Sequence, residues 1–560
     1  MLKRDTEWLV PNSTFPDWNT ERAEQMLLQQ HPHPFSPERI LQSLVLLQLR
    51  FGAVTNPMQE WLSQKSGVAL TDIRALMSFY FFLEQDKPPR YHLRLADNIV
   101  ERHAGLTSLQ ESLTHRLCSA DCRIDTTSCI GLSDHPVSLL VNGFPVTHLG
   151  PHNLDEFCAL IINRVPLQKW PRSWFAVDNR VHHKGPLTSY PYQRGKALTQ
   201  ARGMTGDQII DRIGEAGLRG LGGAGFPTAF KWHWCKQQAE PVKYITCNAD
   251  EGEPGTFKDR FYLTEQADQM IEGMVIAALA VGAQAGFIYL RGEYVYLYTH
   301  LERCLRRWRD SGDLGQDFDI ELHLGAGAYI CGEESAMLES LEGKRGIPRN
   351  KPPFPGTVGL FGKPTVVNNV ETFVCATYIL QQGSAAFKNT GNEKSRGSRL
   401  HSVSGDCRQP GLYELAQGSS LRTLLELSGA HNTLCAQIGG PSGALFFEDQ
   451  FDTPLDFENP GRGGSVMVFN KDRSIVNITR HFTRFFRHES CGFCTPCRAG
   501  TVALDQLLDQ YEHNPALQAK SREDMQELVQ LMQHSSHCGL GKTAGLPVLN
   551  LLQREPAHEQ

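Results

Sequence analysis

The chain lacks any long uninterrupted apolar run. Its most apolar stretch, Met274 to Leu290, is broken by Gly282, Gln284 and Gly286. That excludes a membrane-spanning helix, which needs about 20 apolar residues, and reads instead as an Ala-rich helix followed by a strand. A dominant charge is missing too: 55 Lys and Arg face 61 Asp and Glu, for a net charge of −6. Nothing in that balance asks for nucleic acid. The opening MLKRDTEWLVPN has no apolar core of a signal peptide. The 15 cysteines are scattered through 560 residues, far too long a chain for a disulfide-stapled scaffold, so a reducing, cytoplasmic setting is expected. A single core cannot serve this length, which predicts roughly three or four domains.

Against these absences stand two concentrated signals. Near the C-terminus ESCGFCTPCRAG places Cys491, Cys494 and Cys497 at C-x2-C-x2-C spacing, and Cys538 follows in HCGLGK. Three thiolates so spaced, wrapped by Gly492, Pro496 and Gly500, can fold around one cubane while the distant fourth ties down the next helix. Four cysteines also bind zinc, usually through two separated C-x2-C knuckles rather than a triple.

The second signal is GLRGLGGAGFPTAFKW, residues 217 to 232, with glycine at 217, 220, 222, 223 and 225 and Lys231 six residues after the last. Missing side chains let a flat ring or a phosphate lie on backbone, and a helix beginning near Pro227 adds its positive end. Alone this is a weak sign, because the clean GxGxxG spacing is absent and a strand-to-helix turn looks the same. It is followed by CNADEGEPGTFKDR (247 to 260), GAYICGEESAMLESLEG (327 to 343), KPPFP (351 to 355) and PTVVNNVET (364 to 372). Carboxylates and amides beside glycine suit ribityl and ribose hydroxyls and an imide N–H, while aromatic rings stack on adenine or nicotinamide.

Punctuation divides the rest. Ser36 and Pro37 read as a cap and first helical residue before Ile40, Leu44 and Leu47, and helices continue to about Phe82. Beyond Lys87-Pro88-Pro89, the alternating Val137, Leu139 and Val141 predict a strand ending at the turn dipeptide Asn142-Gly143. A Gly-rich α/β segment runs from about 195 to 390, and NTGNEKSRGSR (389 to 399) reads as a linker. Short strands fill 400 to 475. The remainder is helical, with Leu504, Leu507, Leu508 and Tyr511 on one stripe and Met525, Leu528, Val529 and Met532 on another.

Over roughly residues 200 to 545 these motifs, in this order, resemble the flavoprotein subunit of NADH:quinone oxidoreductase and its relatives, the diaphorase subunits of NAD-reducing [NiFe] hydrogenases and of NAD-dependent formate dehydrogenases. The resemblance implies a multidomain α/β and α fold. It comprises a helical bundle over 1–85, a thioredoxin-like unit over 86–185, a Rossmann-like FMN- and NADH-binding domain over 186–395, a ubiquitin-like β-grasp (SLBB) domain over 396–475 and a helical bundle carrying a [4Fe-4S] cluster over 476–560. For FMN it implies Gly222, Gly223, Gly225, Lys231, Asn248, Asp250, Tyr329, Gly332, Glu333, Val367, Asn368, Asn369 and Thr372. For NAD(H) it implies Phe226, Glu251, Glu253, Glu334 and Phe354, with Trp234 where some relatives have another aromatic. Cys491, Cys494, Cys497 and Cys538 are the implied cluster ligands.

No catalytic side chain is expected, because the hydride passes between two stacked rings and the protein's work is positioning. Glutamates near the adenosine ribose would repel a 2′-phosphate and favour NAD. In the N-terminal unit, relatives hold a [2Fe-2S] cluster at positions where this chain has Ala96, Glu101, Cys129 and Ser133. One thiol of four cannot hold it; Cys118 and Cys122 lie nearby and could assemble an improvised site with Cys129, but three free thiols are the favoured reading. The unit therefore reads as a structural or docking remnant. Fusion with loss of that cluster points toward the hydrogenase diaphorase, with an iron-sulfur, ferredoxin-like subunit and hydrogenase subunits as partners. Formate dehydrogenase and complex I flavoproteins are the alternative, and a non-catalytic iron-sulfur scaffold is the reading from another class.

Overall fold

A computed structural model describes residues 15–147, 149–459 and 463–554; the signal-peptide reading of residues 1–12 lies outside them. Among the described residues no helix is long and apolar enough to cross a membrane.

The chain opens with helices α1 (Thr20–Gln30), α2 (Ile40–Phe51), α3 (Asn56–Ser66) and α4 (Leu70–Phe79). Ser36 makes no side-chain cap: Pro37–Arg39 forms a 3-10 turn and α2 begins at Ile40. The apolar face of α2 is buried almost throughout. A thioredoxin-like α/β unit follows, built from β1 (Tyr91–Ala96), α5 (Ile99–His103), α6 (Leu106–Arg116), β2 (Cys122–Thr127), β3 (Leu139–Val141), β4 (Phe144–Val146) and α7 (Leu154–Ile162). Its strand order is β2-β1-β3-β4, with β1 and β2 parallel and the others antiparallel. Asn142 and Gly143, both at positive φ, form the tight hairpin turn that the dipeptide predicts. Val137 lies outside the strand, and Leu139, Leu140 and Val141 are all buried, so no face of this short strand is left for alternation. The unit has its own core around Leu93, Phe157, Trp170 and Trp174.

After β5 (Val181–His183), helices α8 (Pro186–Ser189), α9 (Lys196–Arg202), α10 (Gly206–Ala216) and α11 (Thr228–Lys236) lead into a parallel sheet. It is woven from β6 (Tyr244–Ala249), α12 (Lys258–Glu265), α13 (Ala267–Val281), β7 (Ala285–Leu290), α14 (Tyr298–Asp310), β8 (Asp319–Leu324), α15 (Glu334–Leu341), β9 (Thr365–Asn369), α16 (Val370–Gln382) and α17 (Ser384–Lys388). Strand order is β8-β7-β6-β9, all parallel. The apolar run from Met274 thus divides between α13 and β7, as its glycines predict. Chain progression runs outward from β6 to β8 and then jumps back to place β9 on the other side of β6. The carboxyl ends of β6 and β9 therefore form a topological switch point, where open α/β sheets leave a crevice. The edge strand β8 is covered by α2: the Gln42 amide donates to Leu324 O at 2.8 Å and accepts from Leu324 N at 3.1 Å, extending the ladder with a side chain.

The expected linker is a tight turn. Asn392 Oδ1 accepts from the N–H groups of Lys394 and Ser395, and Gly397 N bonds Thr390 O. Polar composition signals a turn and a linker alike; satisfied local hydrogen bonds decide for the turn. Next come β10 (Ser398–Gly405), β11 (Gly411–Ala416), α18 (Leu421–Leu427), β12 (Thr433–Ile438), β13 (Ala444–Phe447) and β14 (Ser465–Asn470), in a sheet ordered β13-β12-β14-β10-β11-β5. The C-terminal helices are α19 (Ile475–Glu489), α20 (Thr495–His513), α21 (Gln518–Ser535), α22 (Gly539–Thr543) and α23 (Leu546–Arg554). Leu504, Leu508 and Tyr511 on α20 and Met525, Val529 and Met532 on α21 are buried, so both stripes face the bundle.

Candidate active site at the switch point

The glycine segment forms a closed loop. Gly220 N bonds Phe226 O at 2.9 Å and Thr228 N bonds Leu218 O at 3.0 Å, so the loop folds back before α11 starts at Thr228. A Cβ on Gly222 would stand 2.9 Å from that of Asn369, and one on Gly225, whose φ is +67°, would strike the Phe457 ring. These two positions need glycine because the loop is pressed against β9 on one side and Phe457 on the other. Behind the loop, Leu221 N donates to Thr372 Oγ1 at 3.0 Å and Arg399 donates to Leu221 O at 2.8 Å.

In front of the loop lies a cavity of about 1290 Å³. Single-ligand clefts run to about 300–1,000 Å³, so this one has room for two molecules side by side. It is lined by Gly222, Gly223, Gly225, Phe226, Lys231, Trp234, Asn248, Asp250, Glu251, Glu253, Tyr329, Gly332, Glu333, Glu334, Phe354, Val367, Asn368 and Asn369. Thr372 is not on the wall: its hydroxyl is spent on Leu221 N, one layer behind.

The two paired strand ends supply the floor. Asn248 and Asn369 are register partners on β6 and β9. Asn248 Nδ2 donates to Gly332 O at 2.8 Å, and Trp232 Nε1 donates to Asn368 Oδ1 at 2.9 Å, fixing both amides. Asp250 Oδ2 is buried without a hydrogen-bond partner, and burial raises this carboxyl well above the usual range. A buried orphan oxygen at the floor of a large cavity fits a ligand that brings its own polar hydrogen.

The acidic segments play unequal parts. Glu253 takes a hydrogen bond from the Tyr329 hydroxyl and one from Ser442 N at 3.1 Å; burial pushes its carboxyl up to about 7. Glu333 caps α15, accepting from Ser335 N and Ala336 N, and pairs with Lys351. Glu334 pairs with Lys351 at 3.0 Å and Lys231 at 3.5 Å; burial acts to raise its carboxyl, and the two ammonium groups outweigh that and hold it low. Glu251 is committed to α12, where it accepts from Asp259 N at 2.8 Å and Arg260 N at 3.3 Å, as well as from Tyr294. Burial, with Asp259 nearby, pushes it up to about 7. It shapes the wall as a helix cap, with both oxygens engaged.

Aromatic rings line the mouth. Phe226 meets Phe230 at 5.6 Å between centroids, Phe230 meets Trp234 at 6.1 Å, and Trp234 meets Phe354 at 5.9 Å. Phe230, 58% exposed, was not among the expected residues. Its spacing of four from both Phe226 and Trp234 was the available signal. Lys351, in the KPPFP segment, and Ser442, which nothing in the sequence singles out, also line the cavity.

The far end of the cavity reaches Gly539, Leu540 and Thr543 of α22. Cys494 is the residue before α20, Cys497 lies in its first turn, and Cys538 immediately precedes α22. The four cysteines are neighbours: burial raises Cys497 to about 11, and it senses Cys494, Cys538 and Cys491, while Cys538 senses Cys491 and Glu333. Among the described residues, no three His, Cys, Asp or Glu side chains are drawn in to single-ion distances. Three of these thiols stand at helix starts and Cys491 lies in the turn between α19 and α20, a four-thiol donor set that fits a cubane. In the thioredoxin-like unit, Cys122 lies beside Cys158, whereas Cys129 is buried near Glu101 and Arg291.

Comparison with known proteins agrees with this layout. Residues 213–377 match the model of the Nuo51 FMN-binding domain, 477–557 that of the NADH-ubiquinone oxidoreductase-F iron-sulfur binding region, and 25–161 that of a thioredoxin-like [2Fe-2S] ferredoxin. The NAD-reducing hydrogenase HoxS subunit alpha of Cupriavidus necator is 38% identical, over 92% of this chain and 91% of that protein. One of the NADH-quinone oxidoreductase subunits of Rhizobium meliloti is 41% identical over 64% of this chain and 90% of its own length. A crystal structure of an NAD+-reducing [NiFe]-hydrogenase in the air-oxidized state superposes with a TM-score of 0.86 at 39% identity, covering 92% of this chain and 91% of that one. The chain belongs to the family of NADH-binding flavoprotein subunits shared by NAD-reducing hydrogenases and NADH-quinone oxidoreductases.

Proposed function

We propose that the chain is the diaphorase subunit of an NAD-reducing hydrogenase complex, exchanging a hydride with NAD(H) and single electrons with an iron-sulfur partner subunit. The observation that carries this is one cavity that begins at the glycine loop and ends at the helix following Cys538. FMN bound there would supply the conversion between a two-electron hydride and single electrons. Gly222, Gly223 and Gly225 would let its ring and phosphate approach backbone, with Lys231 and Asn369 beside them. Asp250, whose carboxyl burial raises well above its usual range, would offer its unpartnered oxygen to a polar group of the ring. Phe226, Phe230, Trp234 and Phe354 would stack on the dinucleotide and exclude water from the transfer. Glu253 and Glu334 would face its ribose. Cys491, Cys494, Cys497 and Cys538 would hold the [4Fe-4S] cluster.

The hydrogenase reading is favoured over complex I because the resemblance to the hydrogenase subunit covers 92% of this chain, against 64% for a complex I subunit; a formate dehydrogenase flavoprotein is the alternative. The strand order of β10 to β14 around α18 supports a β-grasp domain between flavin and cluster domains. Loss of three of four thiol ligands, with Glu101 hydrogen-bonded to Ser133 in their place, supports a thioredoxin-like unit without a [2Fe-2S] cluster. A cytoplasmic location belongs to this reading. The test is anaerobic NADH titration of the purified chain: bleaching of a flavin spectrum followed by a reduced-cluster EPR signal supports it. An absent flavin would leave the non-catalytic scaffold.

A further inference from the structure

In the thioredoxin-like unit, Cys129 to Asp134 make a buried loop. Here the loop is gripped by the flavin domain. Arg260 Nη1 donates to Gly131 O at 2.8 Å, and its guanidinium spans the Asp134 carboxylate at 3.0 and 2.7 Å, with both side chains fully buried. Arg291 Nη2 donates to Cys129 O at 2.7 Å. Gly131, at φ +70°, lies so close to the Tyr294 ring that a Cβ would overlap its hydroxyl.

Each of these three groups also touches Glu251. Arg291 Nη1 donates to Glu251 O, Tyr294 donates to Glu251 Oε2 at 3.0 Å, and Arg260 N donates to the same oxygen at 3.3 Å. Glu251 follows Asp250 at the end of β6 and lines the cavity. We propose that loop 129–134 is a positioning element of the flavin pocket, fixing the Asp250-Glu251 turn through Arg260, Arg291 and Tyr294. The proposal rests on the FMN reading of that cavity. A buried guanidinium cannot remain without its carboxylate, and a buried tyrosine hydroxyl keeps its acceptor, so the three contacts lock together. The unit is therefore more than a docking remnant: its loop sets the cavity wall at Asp250 and Glu251.

The test uses the full chain, stripped of FMN and titrated with FMN by fluorescence quenching. Tyr294→Phe removes one hydroxyl and Gly131→Ala pushes on the same ring. About ten-fold weaker FMN binding is expected in each, with a shifted flavin midpoint potential and unchanged iron content. Should Gly131→Ala fail to fold, Tyr294→Phe alone decides. An FMN Kd within about two-fold of the parent in folded Tyr294→Phe would overturn the proposal, and so would weakening matched by an equal loss of iron. Failure of the parent chain to bind FMN would overturn the flavin reading itself, and this proposal with it.

Discussion

The Lys231 ammonium stands 3.5 Å from the Glu334 carboxylate while donating to Val367 O at 2.9 Å. The glycine-bed lysine and the second acidic segment are thus one electrostatic unit, completed by Lys351. Carboxylates clustered at one cavity would repel an anionic ligand; two ammonium groups among them make the site tolerable to a phosphate.

Glu334→Gln removes the negative partner of both lysines. The specificity ratio for NADH over NADPH should fall by about ten-fold, equivalent to about 1.4 kcal/mol. Steady-state kinetics with both dinucleotides measures it, and an unchanged ratio would place the carboxylate away from the ribose.

Phe230→Ala removes the middle ring of the mouth. Because aromatic pairs contribute about 0.5–1.5 kcal/mol, KM for NADH should rise by about two- to ten-fold with kcat little changed. Initial-rate assays with an artificial dye separate the two constants.

Cys494→Ser should leave FMN bound and abolish electron delivery beyond it, since Cys494 lies at the start of α20, outside the glycine loop. NADH-driven reduction of a flavin-reactive dye should persist in part, while iron drops from about four per chain. A normal reduced [4Fe-4S] EPR signal in this variant would refute the ligand assignment.

Burial raises Glu253 from 4.5 to about 7. The folded state therefore holds this proton more tightly than the unfolded chain, so its stabilising contribution is fully present below 4.5. It is lost as pH rises toward 7. Thermal melting of the flavin-free chain should show declining stability across that window, and Glu253→Gln should flatten the slope. A slope identical to the parent's would mean that Glu253 ionises normally.

Local chemistry makes much of this legible from residues alone. The cysteine triple, the glycine loop, the helix-then-strand division after Met274 and the Asn142-Gly143 turn are encoded within a few positions, where spacing and φ preferences act directly. The segment 389 to 399 is not legible in this way, because its composition suits a linker and a tight turn equally until its hydrogen bonds are counted. Thr372 sits in a motif that touches the cavity, yet lies one layer behind the wall. Nothing in the sequence says whether a hydroxyl faces a cavity or props up the loop beside it.

By itself the sequence determined the parts of the chemistry, because a cysteine triple and a glycine loop followed by acidic and aromatic motifs have few physical uses when they occur together in one order. Only the tertiary structure decided how those parts meet. The return of β9 to the side of β6 brings Asn248 and Asn369 together from 121 residues apart. The packing of loop 129–134 against Arg260, Arg291 and Tyr294 joins the thioredoxin-like unit to the cavity wall at Glu251. Such contacts depend on strand order and domain docking, which spread over hundreds of residues and leave no local pattern to read.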